Sequence, residues 1–182
     1  MVVLGTVYSL RRKYEDARLI YQDVLEEYEK IYGVRHLETR KHLSMFIKML
    51  YMVPDVSTAI NMIHKCVLRT IEDCGPLNLE SINITEFYGN ELIELQQFND
   101  ADAIYVKLFH SAEMLLEPMN VKTAELALKI GNFHHHRTNN YDKAMTMYVK
   151  SYDIFDKVYG ETDQITVDVQ NLIKKMKVKL MK

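Results

Sequence analysis

The chain has 182 residues, enough for one domain with a sizeable core. Forty-eight per cent of residues are hydrophobic and 26% charged, and 23 Lys and Arg stand against 25 Asp and Glu, for a net charge of -2. So even a balance gives no electrostatic pull toward nucleic acid or an anionic membrane, and no apolar run reaches the ~18 residues that suggest a transmembrane helix.

The N-terminal stretch from Met1 to Gly5 is apolar, but no basic segment precedes it and it turns charged at Arg11, so it does not read as a signal peptide. A cytoplasmic protein is the expectation. From there the periodicity of apolar residues predicts helices in chain order. First helices of successive pairs fall near 1–11, 37–52, 78–96 and 121–137. Second helices fall near 14–32, 56–73, 99–116 and 141–159, and a last helix near 164–181. Leu19, Ile20, Val24 and Tyr28 line one face of the first long helix; Ile104, Leu108, Ala112 and Leu115 do the same later. In the last helix Ile165, Val169, Leu172, Met176 and Leu180 share a face, with Lys174, Lys175, Lys177 and Lys182 off it or at its end. A terminal helix apolar on one side and polar on the other is what caps a stack of repeats.

The units repeat. Ala17, Ala59, Ala101 and Ala144 are spaced by 42, 42 and 43 residues, each followed four positions later by Tyr21, Ile63, Tyr105 or Tyr148. In the same register stand Gly5, Ile47, Gly89 and Gly131, then Tyr8, Leu50, Leu92 and His134. Two more columns are Gly33, Gly75, Glu117 and Gly160, and Thr39, Ser81, Thr123 and Thr166. The extra residue of the last unit falls in the turn around Thr138, Asn139 and Asn140. Small residues in both helices let the backbones approach closely, and the large residue after Ala fills the gap between pairs. The Gly column follows the end of a long helix, where a left-handed cap favours Gly. The hydroxyl column lies near the start of the next helix, where it is expected to cap free N–H groups. The fold class is therefore all-α, a right-handed α-solenoid in a single domain over 1–182. Its units span about 1–35, 36–77, 78–119 and 120–162, with a capping helix over about 163–182. In this register Met1 corresponds to Leu43, so the first helix is expected to be truncated at its start, as in a fragment, a short isoform or a gene model that omits upstream repeats.

Leu4-Gly5 and Tyr8 in the first helix, with Ala17 and Tyr21 in the second, resemble the tetratricopeptide repeat, whose usual period is about 34 residues. The longer unit of 42, with loops such as Gly33 to Thr39 and Gly160 to Thr166, resembles the repeats of kinesin light chains. Unit two departs from the pattern, with Ile47, Leu50 and Ile63 where Gly, Tyr and Tyr are usual. Asn78 to Ser81, Tyr88-Gly89-Asn90 and the long turn before Tyr141 resemble a narrower group, the amyloid protein-binding adaptor type. The resemblance implies a protein-binding adaptor for a cargo or a degradation substrate, with a link to microtubule motor or cullin ubiquitin ligase machinery.

In tetratricopeptide domains the first helices line a concave groove. The position after the small residue there reads Thr6, Lys48, Asn90 and Asn132, and an Asn amide can both donate to and accept from a peptide backbone. Other groove positions map to Lys41, Ser44 and Tyr51, to Asn83 and Glu86, and to Glu125, Leu128 and His135. The bland alternative for each is a solvated helix face. Lys41 and Lys48 lie toward one end, Glu86 and Glu125 toward the other, so an extended internal peptide of mixed charge is the expected ligand. The protein or peptide partner is expected to involve no nucleic acid and no integral membrane association.

Candidate chemistry is sparse. His134, His135 and His136 are adjacent, and neighbours on a helix point about 100° apart, so the three cannot share one metal. Cys66 and Cys74 suit neither a paired-cysteine metal site nor a disulfide framework. There is no glycine-rich phosphate loop, no nucleophile elbow and no HExxH. The expectation is no catalytic residue, no metal, no cofactor and no enzyme. The alternative to a peptide-binding adaptor is a structural subunit of a ciliary or cytoskeletal assembly that packs through its outer surface.

Overall fold

The computed structural model describes residues 14–34, 36–50 and 77–181, and positions 57, 60, 61, 64, 65, 67, 68, 71, 72 and 75 between them; at 14, 15, 44 and 47–50 it describes the backbone alone. The expected first helix over 1–11, with Gly5, Thr6 and Tyr8, lies outside the described residues, as do Tyr51, Ala59, Ile63, Cys66 and Cys74.

Among the described residues the regular elements are helices: α1 (Tyr14–Tyr32), α2 (Leu37–Leu50), α3 (Leu79–Glu94), α4 (Phe98–Leu115), α5 (Val121–His136), α6 (Tyr141–Tyr159) and α7 (Gln164–Leu180). Their ends fall within two residues of the expected spans. The described positions from 57 to 72 are helical too. By packing, the chain divides into two compact units, residues 1–97 and 98–182.

In the first unit α1 packs on α2. Ala17 has no exposed surface, and Tyr21 stacks on Phe46 with ring centres 6.1 Å apart. Val24, Leu25 and Leu43 are buried with them. In α3 the buried side is Ile82, Ile84, Tyr88 and Leu92.

In the second unit α5 and α6 form a helical hairpin, and α7 packs on α6. One core joins Ala124, Ala144, Tyr148, Ile154, Phe155, Val169, Ile173 and Met176, so the last helix is sealed onto the stack by its apolar face. Removing each of the larger apolar side chains, Ile154, Phe155, Val169, Ile173 and Met176, from water contributes about 1.5–3 kcal/mol. The turn from α5 to α6 takes residues 137–140, one more than the turn 95–97 from α3 to α4, which places the extra residue of the repeat where the spacing put it. Asn139 there has φ 52, a left-handed value that Asn tolerates better than most residues.

The long loops share a chemistry. Gly33, Gly75 and Gly160 take φ 83, 80 and 90, and each N–H reaches back to the helix it ends, to Glu29 O, Ile71 O and Asp156 O. The next helix is then capped by a column that the sequence reading missed. Asn78, Asn120 and Asp163 accept from the backbone N–H groups of Glu80, Lys122 and Ile165, and His36 Nδ1 accepts from Glu38 N–H. The hydroxyl column corrects the expectation made for it. Thr39 Oγ1 donates to Gly33 O at 2.8 Å, and Ser81 Oγ to Gly75 O at 2.6 Å. These residues lie three positions inside the helix, and a helical Cβ leans toward the N-terminus, so the hydroxyl meets the loop carbonyl behind it. Thr123 and Thr166 Oγ1 are buried without a hydrogen-bond partner.

At Gly131 the hairpin of α5 and α6 leaves no room for a side chain. A Cβ added there would stand 2.6 Å from Tyr148 Cδ1 and 3.4 Å from Ala144 O. Tyr148 has no exposed surface, so its ring has nowhere to move. Gly131→Ala should therefore lower stability by about 1–3 kcal/mol in urea unfolding, despite the roughly 1 kcal/mol that Ala gains over Gly in a helix. A variant as stable as the parent would show that the helices do not approach this closely.

Candidate functional site

The predicted groove residues fall into separate groups. Thr6 and Tyr51 lie outside the described residues, and Ser44 and Lys48 are described only in their backbone. Lys41 is exposed on α2 and pairs with Glu38 at 2.7 Å, one turn earlier on the same helix. Asn83, Glu86 and Asn90 sit at successive turns of α3, all half-buried. On α5, Glu125 is exposed, Leu128 is half-buried against the core, and Asn132 is half-buried.

His135 departs from its expected place. It is 9% exposed, and its ring packs edge-on to Tyr148. The reason is a hydrogen-bonded chain. Tyr148 O–H donates to Asn132 Oδ1 at 2.8 Å, and the same hydroxyl lies 3.2 Å from His135 Nδ1. Since the Tyr148 proton goes to Asn132, its oxygen is left to accept from His135 Nδ1–H; this tautomer is inferred from the network. Burial pushes the Tyr148 hydroxyl up to about 12, so it stays a neutral donor at any physiological pH. With Oδ1 held from the core side, the Asn132 carboxamide is fixed in orientation and its NH2 is set as a donor. Tyr148 is the member of this network that sequence reasoning passed over. Its place in the column after Ala was legible, but only as a filler of space.

His134 faces another way. Its ring is 4% exposed, with Nε2 3.3 Å from Asp102 Oδ1 and Nδ1 3.4 Å from Thr138 Oγ1. Asp102 also pairs with Lys143 at 2.5 Å. Burial holds His134 below the ordinary histidine value, against the opposite pull of Asp102 and with the aid of the Lys143 charge. Burial likewise lowers His135, helped by His136, Lys179 and Lys175. Among the described residues no three His, Cys, Asp or Glu side chains gather to hold a metal, and no helix is long and apolar enough to cross a membrane. At the C-terminal end of α7, Lys179 lies 4.4 Å from the centre of the Tyr141 ring. One of the terminal lysines is thus engaged within the fold.

A tetratricopeptide repeat family model matches residues 1–38. No curated protein matches the chain. Among solved structures, kinesin light chain nearly identical TPR-like repeats from Podosopora anserina superpose with a TM-score of 0.65 at 9% identity, over 96% of this chain and 82% of that one. BtubC (BKLC) from P. vanneervenii superposes with a TM-score of 0.56 at 12% identity, over 98% of this chain and 78% of that one. The chain thus has an all-α, tetratricopeptide-like fold of the kinesin-light-chain repeat type.

Two outcomes test the site. Tyr148→Phe removes the hydroxyl shared by Asn132 and His135 and should cost about 1–3 kcal/mol in urea unfolding, because it leaves polar groups unpaired. An unchanged midpoint would show the chain is not formed. The second concerns pH. Both histidines resist protonation in the folded state, whereas in the unfolded chain they titrate near 6.5. The unfolded state therefore binds more protons below that value, and stability should fall from about pH 7 to about pH 5. His135→Gln, which can still donate to Tyr148, should flatten that fall. An equal slope in parent and variant would place the His135 titration elsewhere.

Proposed function

We propose that the chain is a non-enzymatic interaction scaffold that holds an extended, internal peptide segment of a partner protein on the first helices of its repeats. Tetratricopeptide-repeat proteins are in general non-catalytic scaffolds, and the fold favours a protein partner. A fold alone does not fix a function, so the reading must rest on a site. The observation that carries it is the Asn132 carboxamide, half-exposed on α5 and oriented from beneath by Tyr148. A peptide backbone offers a carbonyl to such a donor, and an amide fixed before binding loses little rotamer entropy when it is used. By the repeat register Asn90 holds the same position on α3, and Asn83, Glu86, Glu125 and Leu128 complete the two helix faces. Lys41, Ser44 and Lys48, with Thr6 and Tyr51, are the corresponding positions in the first two units. The mixed charge of these positions suits a segment of mixed charge. As cellular use, we propose the coupling of a cargo or a ubiquitin-ligase substrate to a larger cytoplasmic complex.

The test uses Asn132→Asp. It keeps an acceptor for Tyr148 and replaces the NH2 by oxygen, so the core bond survives and the donor is lost. Affinity capture from native cells, read by mass spectrometry, should lose a defined set of partners in Asn132→Asp and more of them with Asn90→Ala added. Circular dichroism checks that the helices persist. A partner list that does not change would sink the groove reading and favour the alternative, a structural subunit that packs through its outer surface.

A further inference from the structure

We propose that a second site lies between α4 and α6 in the C-terminal unit, and that it takes a large apolar side chain flanked by lysine or arginine on a partner polypeptide. The pocket has a volume of about 440 Å3, within the ~300–1,000 Å3 usual for ligand sites. Tyr105, Val106 and Phe109 of α4 form one wall, Met147 of α6 the other, and Ile130 of α5 lines it as well. It uses none of the groove positions proposed above, since Asn132 and Leu128 lie elsewhere on α5.

Two ion pairs frame it. Lys143 bonds Asp102 at 2.5 Å, and Lys150 bonds Glu113 at 2.9 Å, both running from α6 to α4. Lys150 also stands 4.5 Å from the centre of the Phe109 ring. Asp102 and Glu113 are eleven residues apart along α4, so the pairs tie the two helices together at separated points. Both pairs are part-exposed, so each contributes at most about 1 kcal/mol to holding the two walls together. Between them the pocket is open: Val106 is 63% exposed, and Tyr105 and Phe109 are buried behind it. Water against such a wall is costly, and an apolar side chain would displace it favourably.

The charges choose the flank. Asp102, Glu113 and Asp142 line the pocket against Lys143, with Lys150 beside it, which leaves an excess of one negative charge. Asp102 has one oxygen on Lys143 and the other beside His134 Nε2, so the carboxylate open to a partner is Asp142, exposed at the start of α6. A cation next to the apolar anchor gains attraction at that end, whereas an acidic flank is repelled. A second copy of the chain is the competing occupant, because the end of α7 exposes Val178, Leu180 and Met181 among Lys177 and Lys179.

The experiment selects a phage-displayed random peptide library on the full chain. Recovered peptides are then titrated by fluorescence polarisation against the parent, Val106→Trp, Asp142→Lys and Asn132→Asp. Val106 and Asp142 are exposed, so neither change should unfold the chain, and a thermal melt checks this. The expected peptides carry a large apolar residue beside Lys or Arg. They should bind Val106→Trp about tenfold or more weakly, lose affinity for Asp142→Lys in a salt-sensitive way, and bind Asn132→Asp as they bind the parent. Peptides that bind Val106→Trp as well as the parent, or that carry acidic flanks, overturn the proposal. So does a selection that recovers no peptide discriminating the two. A parent that dimerises in sedimentation while Val106→Trp stays monomeric also overturns it, in favour of the second copy. A loss confined to Asn132→Asp assigns the peptides to the groove and likewise overturns it.

Discussion

The close approach of α5 to α6 governs the C-terminal unit. Where Gly131 has no side chain, the ring of Tyr148 lies against the helix backbone, with Ala144 one turn earlier leaving room for the same contact. Interiors are packed as densely as organic crystals, so a ring fixed this way has one position. Its hydroxyl then has one position too, between Asn132 and His135. A packing column therefore becomes a polar device. The Gly and Ala that allow the contact are apolar structural choices, and the amide orientation on the surface of α5 is their consequence.

Much of this fold could be read from the sequence because repetition removes ambiguity. A single Ala or Gly says little, but the Ala17, Ala59, Ala101 and Ala144 column says that one packing problem is solved four times. Gly33, Gly75 and Gly160 were legible for a sharper reason, since a left-handed cap excludes most side chains. The helix starts were less legible. Their capping column is His36, Asn78, Asn120 and Asp163, and its identity is hidden because an imidazole nitrogen, an amide and a carboxylate can all accept from the same N–H. The Thr and Ser column beside it was visible, yet its direction was misjudged. The hydroxyl type fits a cap, but a residue three positions inside the helix points back to the loop.

The site was legible at the level of face and not of partner. Helical spacing groups Asn83, Glu86 and Asn90, and groups Glu125, Leu128 and Asn132. It also groups His135 with the latter, and there tertiary packing intervenes. The imidazole lies against the buried Tyr148 hydroxyl, whose oxygen has an acceptor lone pair to satisfy. Periodicity tells where a Cβ points; it does not tell which side chains a neighbouring helix will draw inward.

Helix α5 thus serves two surfaces at once. Successive residues turn by about 100°, so Asn132, Phe133, His134 and His135 face different surroundings within one turn. Asn132 stays half-exposed while Phe133 packs edge-on to Tyr105, and His134 lines the pocket between α4 and α6 as His135 turns in toward Tyr148. Tyr105 and Tyr148 occupy the same repeat column, and each borders α5 from a different neighbour. Moving α5 by a fraction of an ångström would disturb the Asn132 orientation and the pocket wall together. Packed between α4 and α6, α5 carries both faces on one backbone, with the ring of Tyr105 on one side and that of Tyr148 on the other.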